Sequence, residues 1–461
     1  MKERILQTLR DLRAYALGKN YEIALFYHEE DSYLVRFANS AISLNTNEHL
    51  IRLEITAYDG RKRANYGLIT DLGKLDEMKK GIDTAAEMVQ HVQPLNYDPT
   101  IPTLAASFAD ENGYDPALAQ LSNEERLSYF NQAVAGLETD EIRLSGIFSC
   151  GANTIALINT RSEHTQYFKT SDAQVTAVLS HTTLKWEVTA EQSAQNKSEL
   201  DPEALRRDLA FLLEHYQHDT PQQIPLGSYA IVFGAAAIAD MINFMNWIGI
   251  DGGLMKRGFS FLSEEKVGQK VFSDKFTLTD DPTRLETFPF KQDFVGIDRK
   301  PHPLFQRGVF QGFTWHQDDA DEFGAQATGH TVKHRSLVLS GGDKNVKSLE
   351  ELIRVPREKD ILYIPFLHYM NIVNPSKAIV TGSSRFGALL LKRDGSVVVP
   401  FNVRVTLSLL EIFGDKVDWL SPATVSYNIS NSYGARNPTA LIVPCFMCVN
   451  DLEISHSNSS Y

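Results

Sequence analysis

Apolar residues open the chain at helical spacing: Ile5, Leu9, Leu12 and Ala16 share one stripe, and Gly18 is placed to end the helix. Between 31 and 69 the period changes to two. Ile51, Leu53, Ile55 and Ala57 alternate with Arg52, Glu54, Thr56 and Tyr58, predicting a strand with one wet face. Asp59-Gly60 marks a tight hairpin with Arg61-Lys62-Arg63 at its tip. A helix is expected over 72–92, striped by Leu75, Met78, Ile82, Ala86 and Val89, with Asp71 as N-cap. Pro94, Pro99 and Pro102 then impose an extended crossing segment. Ser122 and Glu125 form a capping box for a helix reaching about residue 137. Residues 141–190 alternate β-branched and polar positions and read as a meander, turning at Gly151-Ala152-Asn153 and Ser171-Asp172. Asp201-Pro202 opens a further helix, cap then proline, closed by HYQHDTPQQIP. Pro221 and Pro225 set the best boundary, between domains 1–222 and 223–461.

Beyond it a strand at 229–233 feeds a helix, AAAIADMINFMNWIGI, that carries no charge after Asp240. Ile238, Met241, Ile242, Met245 and Ile248 give it a wide apolar face, leaving Asn243, Asn246 and Trp247 off the stripe. The remainder is mostly strand and turn, with hairpins at Arg307-Gly308 and Asp394-Gly395 and a late helix around 405–413. Strands and helices are segregated, so the expected class is α+β: an N-terminal antiparallel sheet with flanking helices, then a C-terminal domain mostly of strands. Strand, Asp-Gly, strand and helix occur near both 59 and 394, which raises the question of a duplication.

Lys and Arg number 45 against 58 Asp and Glu, a net charge of -13, and this disfavours nonspecific nucleic-acid binding. The charged, amphipathic start is not a signal peptide, and no run approaches the roughly 18 apolar residues of a spanning helix. Three cysteines fit a reducing compartment better than a disulfide framework, so the expectation is a soluble cytoplasmic protein.

Candidate chemistry is thin. Cys445 and Cys448, with His456 downstream, could bind metal, but no second such pair exists and their apolar flanks read as a closing strand. His215 and His218 fall where a helix C-terminus favours imidazole. Asp318, Asp319, Asp321 and Glu322 lack calcium-loop spacing and read as the acidic first turn of a short helix. Asp280-Asp281-Pro282 reads as an Asx turn, with Asp281 also a candidate contact. GxSxG, GxxxxGK[ST] and HExxH are all missing.

One segment carries more. GLMKRGFSFLSEEKVGQKVFSDKFTLTDDP, residues 253–282, resembles the signature region of the TldD/PmbA family, long labelled modulators of DNA gyrase. DFVGID at 293–298, Ala-Thr-Gly-His at 327–330 and VRFANSAIS in the first half follow the same pattern in order. The resemblance implies a two-subunit zinc peptidase acting on flexible or leader-bearing peptides. TldD-type chains of the family carry HExxxH on a helix, and a C-terminal Cys completes the metal site. PmbA-type chains, also called TldE, lack that helix motif and pair with a TldD-type chain.

Laying IVFG and KRGFS on their family counterparts puts the first His at Asn243, the Glu at Phe244 and the second His at Ile248. Zinc takes N, S or O donors at about 2 Å, typically three from protein. Asn is a poor ligand, Ile has no lone pair, and Phe cannot take a proton. The resemblance is thus to the PmbA/TldE type, a subunit without its own catalytic residues or cofactor, with zinc in the partner. Asn246, Trp247, Lys256, Arg257 and Ser260 become candidates for contact with partner or peptide, with Arg257 positioned to grip a carboxylate. The partner would be a TldD-type subunit or, in isolation, a second copy. Two alternatives stay open: a regulatory binding protein, as the gyrase label implies, and a peptidase with a site of its own around Cys445 and Cys448.

Overall fold

The computed structural model describes residues 1–217, 220–331, 334–430 and 436–457. Every strand up to residue 194 belongs to one seven-stranded sheet. Its order is Lys62–Thr70, Ala41–Asp59, Glu22–Ala38, Ile142–Asn159, Gln166–His181 and Phe108–Gly113, with Glu187–Ala194 also on Gln166–His181. All neighbours are antiparallel except Phe108–Gly113. Odd-numbered residues of Glu22–Ala38 point to the helices. Leu25 and Tyr27 join the core under Lys2–Gly18 and Leu75–His91, whereas Val35 and Phe37 join the core under Asn123–Ala133 and Pro202–Tyr216. The even-numbered face carries Phe26 and His28 and is turned toward the second half.

The local signals explain most of these boundaries. Ser122 and Glu125 exchange capping bonds of 3.1 and 2.8 Å, and Asp201 accepts from the Ala204 N–H at 3.0 Å. The hairpins close at Asp59/Lys62, Gln306/Val309 and Leu391/Val397. Three expectations are corrected. The strands Ile142–Asn159 and Gln166–His181 run unbroken through both supposed turns. Gly151 is needed for close approach, because a Cβ there would lie 1.9 Å from the Asp31 carbonyl oxygen. The second helix starts at Leu75, with Asp71 bonding Gly73 in a preceding turn. The supposed late helix is mostly the strand Val403–Ser408, whose Val403, Val405 and Leu407 are buried in alternation with exposed Arg404 and Thr406, and only Leu409–Ile412 is helical. Among the described residues the hairpin at residue 394 is followed by the strand Val403–Ser408 and the four-residue helix Leu409–Ile412, not by a long helix, so the two Asp-Gly hairpins do not mark a repeat.

Strands from residue 227 onward form two further sheets, one of six strands and one of nine, confirming the α+β class. The helix Ala235–Ile248 lies in a core that both sheets supply. Ile238, Met241, Ile242 and Met245 are fully buried with Leu278, Leu337 and Val443 of one sheet and Leu362, Val380 and Met447 of the other. The chain crosses between these sheets at Cys445, between Ala440–Pro444 and Phe446–Ser457. Burial pushes the Cys448 thiol up to about 12, so it stays protonated. No helix is long and apolar enough to cross a membrane among the described residues.

Candidate functional site

The helix Ala235–Ile248 starts where the strand Gly227–Gly234 ends, and Gly249 stops it. Asn243 and Phe244 are half-buried and Ile248 is buried. Asn246 is only 4% exposed, so it is no surface contact: with sheets on both sides, this helix has almost no wet face. Trp247 is the exception, 49% exposed at the helix end.

Trp247 opens onto a cavity of about 610 Å³ between the two halves. One wall is the face of the first sheet that carries Phe26 and His28, with Glu54, Thr56, Ile155 and Leu157 beside them. The opposite wall holds Trp247, Leu254, Arg257, Phe294 and Asp319. A cleft of this size with a largely apolar lining and a few convergent polar groups has the form of a ligand site.

The glycines of the signature segment let its second wall close. A Cβ at Gly253 would stand 2.2 Å from the Asp319 carboxylate, and one at Gly252 would stand 2.4 Å from the Trp315 ring. Asp251 caps the short helix Gly252–Lys256 through the Leu254 N–H at 2.9 Å and takes a bond from Arg335 at 3.1 Å.

Arg257 is engaged within the chain. It bonds Asp319 at 2.8 Å and Glu322, and it stacks 5.0 Å from the Phe323 ring. The acidic run does form the helix Gln317–Phe323, and it also joins the halves: Arg63 binds Asp318, while Thr100 donates to Asp321 at 2.7 and 3.0 Å. A second seam is Arg436, buried against Asp172 at 2.7 Å and Ser149 at 3.1 Å. His28 Nε2 donates to Asn153 at 2.5 Å and lies 3.0 Å from the Arg436 carbonyl oxygen.

The other candidates lie outside the cleft. Lys256 pairs with Glu264 at 2.7 Å. Ser260 donates to the Gly249 carbonyl at 2.8 Å and accepts from the Leu262 N–H at 2.9 Å, a turn contact. Asp281 forms the expected Asx turn with Thr283. His215 packs on Phe211, and His218 lies outside the described residues.

Two polar clusters escaped the sequence reading. Asp280, fully buried, binds Arg299 at 2.9 Å and the Ser336 N–H at 2.8 Å, with His330 and His334 buried beside it. Burial lowers these histidines to about 4 and about 3. Asp293, which opens the DFVGID segment, accepts from the Val295 and Ile297 N–H groups at 3.1 and 2.8 Å. The second cluster crosses between the halves. Burial, reinforced by their mutual repulsion for Asp240, raises Asp240 and Glu191 to about 7, and Glu191 accepts from Thr176 at 3.1 Å and from Tyr427.

The metal chemistry of HExxxH does not fit the side chains at 243, 244 and 248. An amide, a benzyl ring and a branched hydrocarbon offer neither a ligand set nor a general base. Among the described residues, no group of three or more His, Cys, Asp and Glu side chains is placed to hold a metal ion.

Comparison with known proteins agrees with this architecture. Residues 226–455 match the family described as the PmbA/TldA metallopeptidase C-terminal domain. No curated protein matches the chain. The crystal structure of TldE from Thermococcus kodakarensis is similar over 97% of this chain and all of that one, at 16% identity and a TM-score of 0.80. A proposed modulator of DNA gyrase from Thermotoga maritima covers 97% of this chain and 99% of its own, with 15% identity and a TM-score of 0.74. Another from Bacteroides thetaiotaomicron covers 97% and 98%, with 16% identity and a TM-score of 0.74. With the signature segments lying in order along these elements, the chain belongs to the TldD/PmbA family.

Proposed function

We propose that this chain is the non-catalytic, PmbA/TldE-type subunit of a two-subunit zinc peptidase that acts on flexible or leader-bearing peptides. The observation that supports this reading is the helix Ala235–Ile248, which offers Asn243, Phe244 and Ile248 where the resemblance puts both metal-binding histidines and the general base. Zinc, held by an HExxxH-bearing partner, would supply the Lewis acid and the activated water. This chain would contribute shape: a cleft fixed by the Arg63 and Arg436 seams, open to an extended peptide. Its net charge of -13 favours a peptide or protein partner over DNA, and three free cysteines fit the cytoplasm.

The test is reconstitution. Purified alone, the chain should hold substoichiometric zinc and leave an unfolded peptide intact. Mixed with an HExxxH-bearing relative of similar length, it should give hydrolysis that a chelator abolishes. Cleavage by the pure chain that survives chelation would refute the proposal. If Cys445→Ala with Cys448→Ala then removed that cleavage, the peptidase with its own site would replace it.

A further inference from the structure

We infer that the cleft between the halves is itself a binding site for an extended apolar peptide segment carrying one positively charged group, which Glu54 accepts. The inference deepens the proposal above and rests on it only in taking peptide as the ligand.

The geometry begins with cross-strand rows on the first sheet. Phe26 pairs with Leu157 on one side and with Glu54 on the other, and Glu54 pairs with Gly67. Side chains in one row share a face, so Glu54 stands beside the Phe26 ring with no side chain on its outer flank. The next rows place Ile155 beside His28 and Thr56 beside Asn65. The floor is therefore apolar around Phe26, Ile155 and Leu157, with a carboxylate at one edge. Trp247 and Leu254 line the facing wall, while Phe294 packs edge-on against Phe26 at 5.2 Å and closes the cleft at that point. Apolar walls on opposite sides suit a narrow, extended segment with side chains projecting both ways.

Charge decides what else the ligand must carry. Asp319 is bound to Arg257, Asp251 to Arg335, and His316 lies 3.8 Å from Asp318. His28 is held by Asn153, and its burial disfavours protonation. Glu54 makes no hydrogen bond or ion pair among the described residues, so it is the uncompensated charge lining the cleft. A lysine or arginine side chain or a free amino terminus would neutralise it, whereas a second carboxylate would be repelled.

The probe is a blocked pentapeptide of leucines around one central lysine, with norleucine in place of lysine as the neutral control. Trp247 is the most exposed of the four tryptophans, so its fluorescence reports occupancy. The isolated chain should bind the lysine peptide saturably, and Trp247→Leu should remove the signal. Glu54→Gln should weaken the lysine peptide about tenfold, equivalent to about 1.4 kcal/mol, and leave the neutral peptide unchanged. Absence of saturable binding, or equal affinity of the wild type for both peptides, would overturn the inference. Binding by the isolated chain with no activation on mixing would instead sink the subunit reading and leave this site standing.

Discussion

Asp280→Ala should destabilise the chain by about 3–5 kcal/mol, the usual loss when one partner of a buried ion pair is removed. Asp280 is fully buried and Arg299 nearly so, at 6% exposure, and their contact is 2.9 Å. The truncation leaves the guanidinium in the interior with its carboxylate gone, and it also strips the Ser336 N–H of its acceptor. A single lost hydrogen bond would cost about 1 kcal/mol, so the stranded charge dominates. Removing both charges together should be much milder: Asp280→Leu with Arg299→Met replaces the pair by apolar groups and should recover most of the loss. Arg257→Met, a surface ion pair by comparison, should cost about 1 kcal/mol or less. Guanidinium unfolding followed by tryptophan fluorescence ranks the three variants. A loss below about 1 kcal/mol for Asp280→Ala would mean that Arg299 finds another partner or water.

That pair also shows what a sequence pattern can and cannot carry. Local signals such as the Ser122/Glu125 box, the Asp201-Pro202 cap and the Asp-Gly hairpins bind the backbone within a few residues, so spacing alone located them. Gly151 misled because glycine serves both turns and close backbone approach, and only the position of Asp31 distinguishes the two. In LTDDP the two aspartates are equivalent by composition, yet Asp281 turns the chain locally while Asp280 reaches Arg299, nineteen residues away. Asn246 failed for a related reason: stripe analysis assumes one wet side, and this helix has a sheet on each. The cleft was hidden as well. Glu54 and Thr56 were legible as the wet face of a strand, but alternation does not reveal that the second half of the chain covers that face.

Acid should unfold the protein through His330 and His334, and an opposing pair of carboxyl groups should mask part of that effect. Both imidazoles are buried and titrate at about 4 and about 3, below the ordinary 6.5. The unfolded chain therefore takes up protons from pH 6.5 downward before the folded one does. Their contribution is complete above pH 6.5 and is lost as the pH falls toward 4 and 3, at about 1.4 kcal/mol per pH unit for each histidine. Asp240 and Glu191 have the opposite sign. Held up at about 7 against ordinary values of 3.8 and 4.5, they keep their protons in the folded state where the unfolded chain has released them. Their contribution is present below about pH 4 and lost as the pH rises through 7. Between pH 4.5 and 6.5 the two slopes oppose, and the wild type should show a shallow dependence. Asp240→Asn with Glu191→Gln removes the carboxyl slope, so this variant should lose about 2–3 kcal/mol per unit between pH 6.5 and 5 and should exceed the wild type in stability at pH 8. Urea midpoints at pH 5, 6.5 and 8 test both statements. Parallel curves for variant and wild type would show that Asp240 and Glu191 ionise as they do in the unfolded chain. The proton held between the two halves would then play no part in keeping them together.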